Sequence, residues 1–348
     1  MLQWFGGIGI IVVAMAFLPE LRVGGMQIFR SEGFDTDGKV LPRAAEIASR
    51  ISIVYVGLTL MCALAYVFVG MSFFDAINHS MTTIATGGFS THDDSFGAFQ
   101  GPAEYVGVLF MILASLPFVR YVQLLAGATH PLVRDTQIRA FVTTAFILVV
   151  TMTVFRFVGG ASIFSALRES SFNIVSIITG TGYASTNYQA WGAFPTAVFF
   201  FIGLIGGCAG STCCSVKVFR YQILWNAVIN QIRRIHSPHG VFQLKYAGQT
   251  MTEDVISSVM AFLTMFIVSL GVVAVLLSAT GLDLITSISG AATAIANVGP
   301  GLGPIIGPEG NFGDLNAVAK WILLSAMLVG RLELMVVFVL FTSRFWRA

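Results

Sequence analysis

Residues 164–188 read FSALRESSFNIVSIITGTGYASTNY, a short, semi-apolar helical stretch followed by a Gly-rich segment. The same plan occurs twice more, as FFDAINHSMTTIATGGFSTHDD over residues 73–94 and as LDLITSISGAATAIANVGPGLG over residues 282–303. Each of the three stretches connects two longer apolar segments. The chain therefore contains internal repeats, and these repeats determine its architecture.

The helical part of each repeat is too short to cross a membrane, because about 10 to 14 residues span less than a hydrocarbon core about 30 Å thick. We therefore expect each segment to enter the membrane and return as a re-entrant pore helix. Glycine supplies the dihedral angles that let carbonyls point at an axis, and rings of carbonyls can replace the hydration shell of a monovalent cation. The alternative, tight turns in a generic transporter, does not explain the half-length helix before each Gly-rich segment.

One glycine in each repeat aligns with the others: Gly87, Gly182 and Gly299. Each follows a residue pair, and the pairs are Ala85 with Thr86, Gly180 with Thr181, and Asn297 with Val298. A single Gly-rich loop between apolar helices is more often a packing turn than a filter. Three such loops in phase indicate a filter, and these nine residues are its candidate members.

The composition indicates an integral membrane protein, since 56% of residues are hydrophobic, 10% are charged and the mean hydropathy is +0.83. Seven apolar segments are long enough to be predicted as spans. They cover residues 1–18, 51–70, 105–126, 140–158, 196–216, 256–280 and 317–342.

The basic residues predict an orientation, because Lys and Arg are retained on the cytoplasmic side of short loops. Fourteen of the nineteen lie in four alternate stretches, 19–50, 126–139, 217–254 and 343–348, beginning with Arg22, Arg30, Lys39, Arg43 and Arg50. The intervening stretches hold one basic residue, Arg168, against seven acidic ones that include Asp93, Asp94, Glu104 and Glu309. We expect these stretches to face outward and to form an acidic mouth that favours cations. The amino terminus is expected outside, without a cleaved signal peptide.

The stretches TIATGGFSTHD, SIITGTGY and NVGPGLGP resemble the second, third and fourth filter loops of the TrkH and KtrB superfamily of potassium transporters. WFGGIGIIVVAMAFLPELRVGGMQIFRSEGFD from Trp4, KVLPRAAEIA from Lys39 and GLIGGCAGSTC from Gly203 are similar to the TrkH branch. The resemblance covers nearly the whole chain.

This resemblance implies an all-α integral membrane protein of the bacterial inner membrane, with units of helix, re-entrant pore loop and helix around a pseudo-fourfold pore. Potassium, as the substrate, would bind at the nine candidate filter residues, and no cofactor is expected. The implied units are 1–50, 51–137, 138–254 and 255–348, of which the first is incomplete. The chain opens inside the second helix of the family's first repeat, so we expect it to be a fragment without the first filter loop.

The run GLIGGCAGSTCCS, residues 203–215, interrupts an apolar segment with Gly, Ser and Cys, and helices break at such runs. In the family this helix is broken by an intramembrane loop beneath the filter that acts as a gate. The implied gate residues are Gly206, Gly207, Cys208, Ala209, Gly210, Ser211, Thr212 and Cys213. The alternative is close helix packing through small residues. Family members often carry glycine where this chain has Cys214 and Ser215.

Arg331 lies midway along the last apolar segment, where a charge is costly and therefore indicates a function. Glu333 is two positions further and points to nearly the opposite side of a helix, so it is not an obvious partner. Arg331 matches the family arginine that projects toward the gate loop, which implies a permeation barrier. A pair with a backbone carbonyl of the broken helix is the alternative.

The resemblance implies a homodimer that rests on a cytosolic ring of TrkA-type nucleotide-binding subunits, which we expect to dock on residues 217–254 near Arg233 and His236. The basic inner face suits anionic membrane lipid, and no nucleic-acid partner is expected. The groups His92, Asp93 and Asp94, and His236 with His239, are interpreted as loop residues and not as metal sites.

Two rival functions remain at this point. One is an intramembrane enzyme with His79 and Ser80 as a catalytic pair, although neighbours in a helix diverge by about 100°. The other is a non-conducting membrane subunit of such a system.

Overall fold

The structure is a computed structural model that describes residues 1–16, 44–128, 130–238, 240, 242–332, 337–338 and 346. The basic residues Arg22, Arg30, Lys39 and Arg43, as well as His239 and Glu333, lie outside the described residues.

Helices make up nearly all of the regular structure. In chain order they are α1 (Leu2–Ala16), α2 (Ala44–Phe68), α3 (Phe73–Ile84), α4 (Pro102–Ala114), α5 (Phe118–Leu125), α6 (His130–Arg134), α7 (Thr136–Val158), α8 (Ile163–Ile178), α9 (Ala193–Gly203), α10 (Val218–His236), α11 (Glu253–Ser278), α12 (Leu284–Ala296) and α13 (Ala317–Arg331). Short 3-10 helices cover Ser95–Phe99, Tyr188–Trp191 and Phe312–Asp314. Two strands of two residues each, β1 (Lys245–Tyr246) and β2 (Gln249–Thr250), pair in antiparallel fashion.

Three groups of helices share one plan, in which a long helix is followed by a half-length helix and then by a second apolar helix. The groups are α2–α3–α4, α7–α8–α9 and α11–α12–α13, and within each group the first two helices pack against each other. This arrangement confirms the all-α fold with repeated units that the sequence predicted.

The turn before each half-length helix is built in the same way. A glycine with positive φ follows the end of each long helix by two or three residues, at Gly70 (+98°), Gly160 (+95°) and Gly281 (+92°). Two residues later an N-cap side chain accepts a hydrogen bond from the backbone N–H three positions further on. The caps are Ser72, Ser162 and Asp283, at 3.1, 3.2 and 3.1 Å respectively. The internal repeat therefore includes the turn as well as the helices.

Three described helices are long and apolar enough to cross a membrane: residues Ala48–Phe68 of α2, α7 and α11. The predicted span 105–126 is bent, because α4 and α5 together are apolar and long enough but meet at an angle of 88°. The bend lies at Pro117, which has no N–H to donate along a helix. The predicted span 196–216 is interrupted, since α9 ends at Gly203 and α10 begins at Val218.

The pore helix α8 lies between the two main hydrophobic clusters of the described chain. Phe172, Val175 and Ile178 pack with residues of α2 to α5, whereas Ile174 and Ile177 pack with residues of α9, α11, α12 and α13. Large apolar side chains on the long helices, such as Leu64, Phe146 and Ile267, are exposed at 71%, 67% and 67%. Such surfaces fit contact with lipid.

Candidate ion filter and gate

The three half-length helices end in the same hydrogen-bonded turn. Near the end of each helix, one N–H donates to the carbonyl three residues back and the next N–H donates to the carbonyl five residues back, which defines a Schellman motif. The longer bonds join Gly87 to Thr82 at 2.7 Å, Thr181 to Ser176 at 2.9 Å, and Val298 to Thr293 at 3.1 Å. The shorter bonds join Thr86 to Thr83, Gly180 to Ile177 and Asn297 to Ala294.

The left-handed residue of each motif has the same place in all three loops. Thr86, Gly180 and Asn297 have φ values of +48°, +69° and +53°. Threonine rarely adopts this conformation, whereas glycine and asparagine do so at less cost. Thr86 is therefore equivalent to Gly180, whereas the alignment predicted from the sequence matched Thr86 with Thr181.

The hydrogen bonds shift the predicted alignment of the first loop by one residue. Gly88 (φ +69°) takes the same place as Gly182 (+85°) and Gly299 (+115°), whereas Gly87 is equivalent to Thr181 and Val298. Ala85 is the C-cap of α3 and leaves the equivalent set. The aligned loops are therefore residues 86–88, 180–182 and 297–299, called loops 1, 2 and 3 below.

The three loops lie against one another in sequence order. A Cβ atom added to Gly88 would stand 2.0 Å from the Thr181 carbonyl oxygen, and one added to Gly182 would stand 1.9 Å from the Val298 carbonyl oxygen. The equivalent oxygen of loop 1, on Gly87, accepts a hydrogen bond of 2.9 Å from Gln3 Nε2 of α1. A carbonyl oxygen thus faces the glycine of the adjacent loop at two junctions, and no side chain larger than glycine fits there.

A hydroxyl group at one position of each pore helix supports the loop that follows it. Thr82 Oγ1 donates to the Phe89 carbonyl at 2.9 Å, and Ser176 Oγ donates to the Tyr183 carbonyl at 2.7 Å. In the third repeat Pro300 follows the glycine, and Thr293 Oγ1 instead accepts from Gly299 N at 2.9 Å. These hydroxyls were not predicted from the sequence, because each lies six residues before its glycine only when Gly88, and not Gly87, is aligned with Gly182 and Gly299.

The candidate gate residues belong to an irregular segment between α9 and α10. Its base is closed by a bridge between Ile205 and Val216, where Gly206 N donates to the Val216 carbonyl at 2.8 Å. A Cβ atom on Gly206 would stand 2.0 Å from the Cys214 carbonyl oxygen. A Cβ atom on Gly207 would meet Cys213 Sγ at 2.7 Å. The segment is thus a compact loop that requires glycine at its start.

The tip of this segment bonds to the broken end of α4. Cys208 N donates to the Ser115 carbonyl at 3.0 Å, and Thr212 Oγ1 donates to the Ala114 carbonyl at 3.1 Å. Gly210 O accepts from Phe118 N, the first N–H of α5, at 2.9 Å. The gate segment thereby satisfies backbone groups that the bend at Pro117 leaves without helical partners.

Other parts of the chain hold the same segment. Ala209 N donates to the buried Gln137 Oε1 of α7 at 3.0 Å, and within the segment Ser211 Oγ donates to the Cys208 carbonyl at 2.7 Å. Ser215 has φ +61°, a conformation that glycine favours, and its N and Oγ lie 3.0 and 3.1 Å from the Ala296 carbonyl. Ser215 therefore anchors the segment to the end of α12.

Arg331, the last residue of α13, reaches the gate segment. Its Nη1 lies 3.5 Å from the Thr212 carbonyl and contacts Cys214 Sγ. The arginine and the gate segment, 117 to 119 residues apart in sequence, are therefore brought together. The contact includes the backbone carbonyl that was the alternative partner in the sequence analysis.

Comparison with known proteins decides the family. Residues 1–347 match the family model TrkH, described as a cation transport protein.

The chain belongs to the TrkH family of cation transport proteins.

Several curated relatives of this TrkH-family chain are known. It is 45% identical to the Trk system potassium uptake protein TrkI of Halomonas elongata, over 99% of this chain and 71% of that protein. It is 38% identical to the Trk system potassium uptake protein TrkH of Escherichia coli, over 100% of this chain and 72% of that protein. The crystal structure of the potassium transporter TrkH from Vibrio parahaemolyticus superposes with a TM-score of 0.88 at 34% identity, over 99% of this chain and 71% of that one. The chain is therefore an integral membrane transport protein.

The rival enzyme site does not form in this TrkH-family chain. His79 Nε2 lies 3.0 Å from Ser90 Oγ, and its Nδ1 lies 2.8 Å from the Asp75 carbonyl. Ser80 Oγ donates instead to the Ile77 carbonyl at 2.9 Å. The two side chains have different partners, and the family consists of transport proteins.

Carboxylates occupy the first turn or the cap of two pore helices. Hydrogen bonds from Ser72 and Thr91 hold the pKa of Asp75 below its usual value, and hydrogen bonds from Thr286 do the same for Asp283. Both groups therefore remain ionised at neutral pH. His92 Nε2 lies 3.7 Å from Asp75 Oδ1 at the same end of α3.

Glu104 does not contribute to an acidic mouth, which corrects the expectation from sequence. Its side chain is fully buried, and its Oε2 lies 3.0 Å from Arg168 Nε. Arg168 also lies 3.5 Å from Glu169, which pairs with Arg156 of α7 at 2.5 Å. The guanidinium carbon of Arg156 lies over the Trp191 ring, 4.2 Å from its centroid. This charge network joins the first two groups of helices.

Proposed function

We propose that this chain carries potassium ions across the bacterial inner membrane through a filter formed by loops 1, 2 and 3. The observation that carries the proposal is the common Schellman turn, which gives three loops one hydrogen-bond register and places Gly88 and Gly182 against carbonyl oxygens of the adjacent loops. The names of the potassium uptake relatives agree with it.

The filter works through backbone oxygens. A potassium ion that enters the ring loses part of its hydration shell, and the carbonyls of the loops replace the lost water oxygens. The pore helices end at the loops, so the negative ends of their dipoles face the ion path. The ionised Asp75 and Asp283 raise the local cation concentration before entry.

The gate lies in residues 206–213. The segment is held closed by its bonds to Ser115 and Gln137, and opening requires these bonds to break together. The Arg331 guanidinium beside the segment adds a fixed positive charge that repels a passing cation. Both effects raise the barrier for permeation below the filter.

The partners follow from the same family. We propose a homodimer whose inner face binds a cytosolic TrkA-type ring of nucleotide-binding subunits. Arg233 and His236 are exposed in the last turn of α10, which supports docking there. A crosslinker placed at these two positions is expected to capture the ring subunit, and labelling only at other positions would refute this docking site.

The direct test is growth at low potassium and rubidium uptake in a bacterium that lacks its own potassium uptake systems. The gene, expressed with its complete reading frame, should restore both, and Gly299→Ser should lower the preference for rubidium over sodium. A Cβ atom on Gly299 meets no atom closer than 3.8 Å, so Gly299→Ser acts through the strain of the positive φ (+115°) on the loop backbone and not through a clash. If neither rubidium nor sodium is carried, a non-conducting subunit becomes the better assignment.

A further inference from the structure

Tyr183 differs from its equivalents in the other two loops. It follows Gly182 directly, and the matching residues after Gly88 and Gly299 are Phe89 and Pro300. Phe89 is 70% exposed, whereas Tyr183 is fully buried against α3, a pore helix of another repeat. Of the three residues that directly follow the loops, Tyr183 is therefore the one that places a hydroxyl group against a neighbouring repeat.

The Tyr183 hydroxyl is surrounded by polar atoms of α3. Thr82 Oγ1 lies 2.5 Å away, the His79 carbonyl 3.2 Å away and Thr83 Oγ1 3.3 Å away. Thr82 Oγ1 also lies 2.9 Å from the Phe89 carbonyl, immediately after loop 1. When Tyr183 donates to Thr82, the Thr82 proton remains free for Phe89, because a hydroxyl donates one bond and accepts two. Two hydrogen bonds in series then connect loop 2 to loop 1.

The ring of Tyr183 has little room to move. Its centroid lies 5.1 Å from that of Phe96, 6.0 Å from that of His79 and 6.4 Å from that of Phe172. The backbone is also fixed, since the Tyr183 carbonyl accepts from Ser176 Oγ at 2.7 Å. Close packing of this kind transmits a displacement instead of absorbing it.

Loop 2 takes part in both of the close approaches between loops that were described above. The Thr181 carbonyl oxygen lies against Gly88, and Gly182 lies against the Val298 carbonyl oxygen. A shift of Tyr183 relative to α3 therefore changes the spacing at both junctions. Ion discrimination by carbonyls depends on the spacing and the flexibility of the oxygens.

We propose that Tyr183 is a positioning residue that sets the discrimination between potassium and sodium by holding loop 2 at a fixed distance from loop 1 through Thr82. The proposal rests on the filter function proposed above and names the side chain on which its selectivity depends.

The test compares Tyr183→Phe with Tyr66→Phe in the complete protein. Tyr66 is a stringent control, because its buried hydroxyl also bonds to a threonine of α3, Thr83, at 3.0 Å, but it belongs to α2 and its bond is not part of the connection from Tyr183 through Thr82 to the Phe89 carbonyl. The measurement is rubidium uptake with increasing sodium as competitor, at equal amounts of protein in the membrane. Tyr183→Phe should lower the rubidium-to-sodium ratio roughly threefold to tenfold, the range that one lost buried hydrogen bond allows. Tyr66→Phe should leave the ratio unchanged.

A second variant covers the case in which Tyr183→Phe does not reach the membrane. Thr82→Val keeps the side-chain volume but removes the connecting hydroxyl, so it should lower the ratio to a similar extent. The double variant should fall no further than either single one, because both break the same connection. An unchanged ratio in Thr82→Val would overturn the proposal.

The comparison with Gly299→Ser separates this inference from the filter itself. If Gly299→Ser lowers the ratio and Tyr183→Phe does not, Tyr183 has no positioning role and the filter stands. If neither variant changes the ratio, the proposed filter is wrong as well.

Discussion

The proposed filter loops and the proposed gate segment are both irregular, Gly-rich backbone, but they are held in different ways. Each filter loop bonds to its own pore helix, through groups five to seven residues away, as between Thr181 and Ser176. The gate segment instead bonds to Ala114, Gln137, Ala296 and Arg331, which lie 72 to 119 residues away. Hydrogen bonds within one repeat give the three loops the same conformation. Hydrogen bonds between repeats instead make the conformation of the gate segment depend on the packing of one repeat against another.

This difference separates a rigid part from a part that can move. A loop fixed by its own helix keeps its internal shape when the repeats shift, and contacts such as that of Tyr183 with Thr82 hold the loops at their distance from one another. A segment that bonds to four other parts of the chain changes whenever one of them moves relative to the others. We therefore expect substitutions in the filter to change ion binding and substitutions at the gate to change how often the path is open.

The largest expected effect is at the rigid part. Gly182→Ala would place a Cβ atom 1.9 Å from the Val298 carbonyl oxygen, so loop 2 or loop 3 must move. Rubidium uptake should fall roughly tenfold or more. Gly192→Ala is the matched control, since Gly192 also has positive φ (+118°) but has no atom within 4 Å of an added Cβ. That variant should keep most of the uptake, because it carries only backbone strain, about 1–3 kcal/mol for a side chain at the φ and ψ of Gly192 (+118° and −178°), and no clash. Equal losses of rubidium uptake in both variants would mean that backbone strain, and not the contact between loops 2 and 3, causes the loss.

A smaller effect is expected at the gate. Arg331→Gln removes the positive charge beside the Thr212 carbonyl and should raise uptake several-fold without changing the preference for rubidium over sodium. Lys320→Gln removes a charge from the other end of α13, where the ammonium group bonds to the Gly313 carbonyl, and should leave uptake unchanged. Initial rates of rubidium uptake measure both. A change in ion preference with Arg331→Gln would contradict the division between filter and gate.

The repeated parts of the molecule could be predicted from the sequence. The three half-length helices, their loops and the break near residues 206–213 follow from patterns that recur or from runs of glycine, which act locally. The single-residue error in loop 1 has a local cause as well. Thr86 adopts the left-handed conformation in which loop 2 has a glycine, and sequence patterns do not anticipate such a threonine.

The parts that depend on contacts between repeats could not be predicted. The backbone groups left unpaired at the Pro117 bend find hydrogen-bond partners in the gate segment, which lies about 90 residues further along the chain. The sequence predicted Glu104 as an exposed acidic residue, yet its side chain is buried and pairs with Arg168 of another helix group. Single-sequence patterns contain no record of such pairings, because each partner alone is an ordinary polar residue.

The central claim is the common register of the three loops, which makes Gly88, and not Gly87, the equivalent of Gly182 and Gly299. The most direct measurement is rubidium uptake by Gly88→Ala and Gly87→Ala, at matched amounts of protein in the membrane. An added Cβ on Gly88 would stand 2.0 Å from a backbone oxygen of loop 2, at positive φ, whereas one on Gly87 would meet the side chain of Gln3, which can rotate away. We predict that Gly88→Ala loses uptake and that Gly87→Ala retains it. Retained uptake in Gly88→Ala with loss in Gly87→Ala would contradict the register and the account built on it.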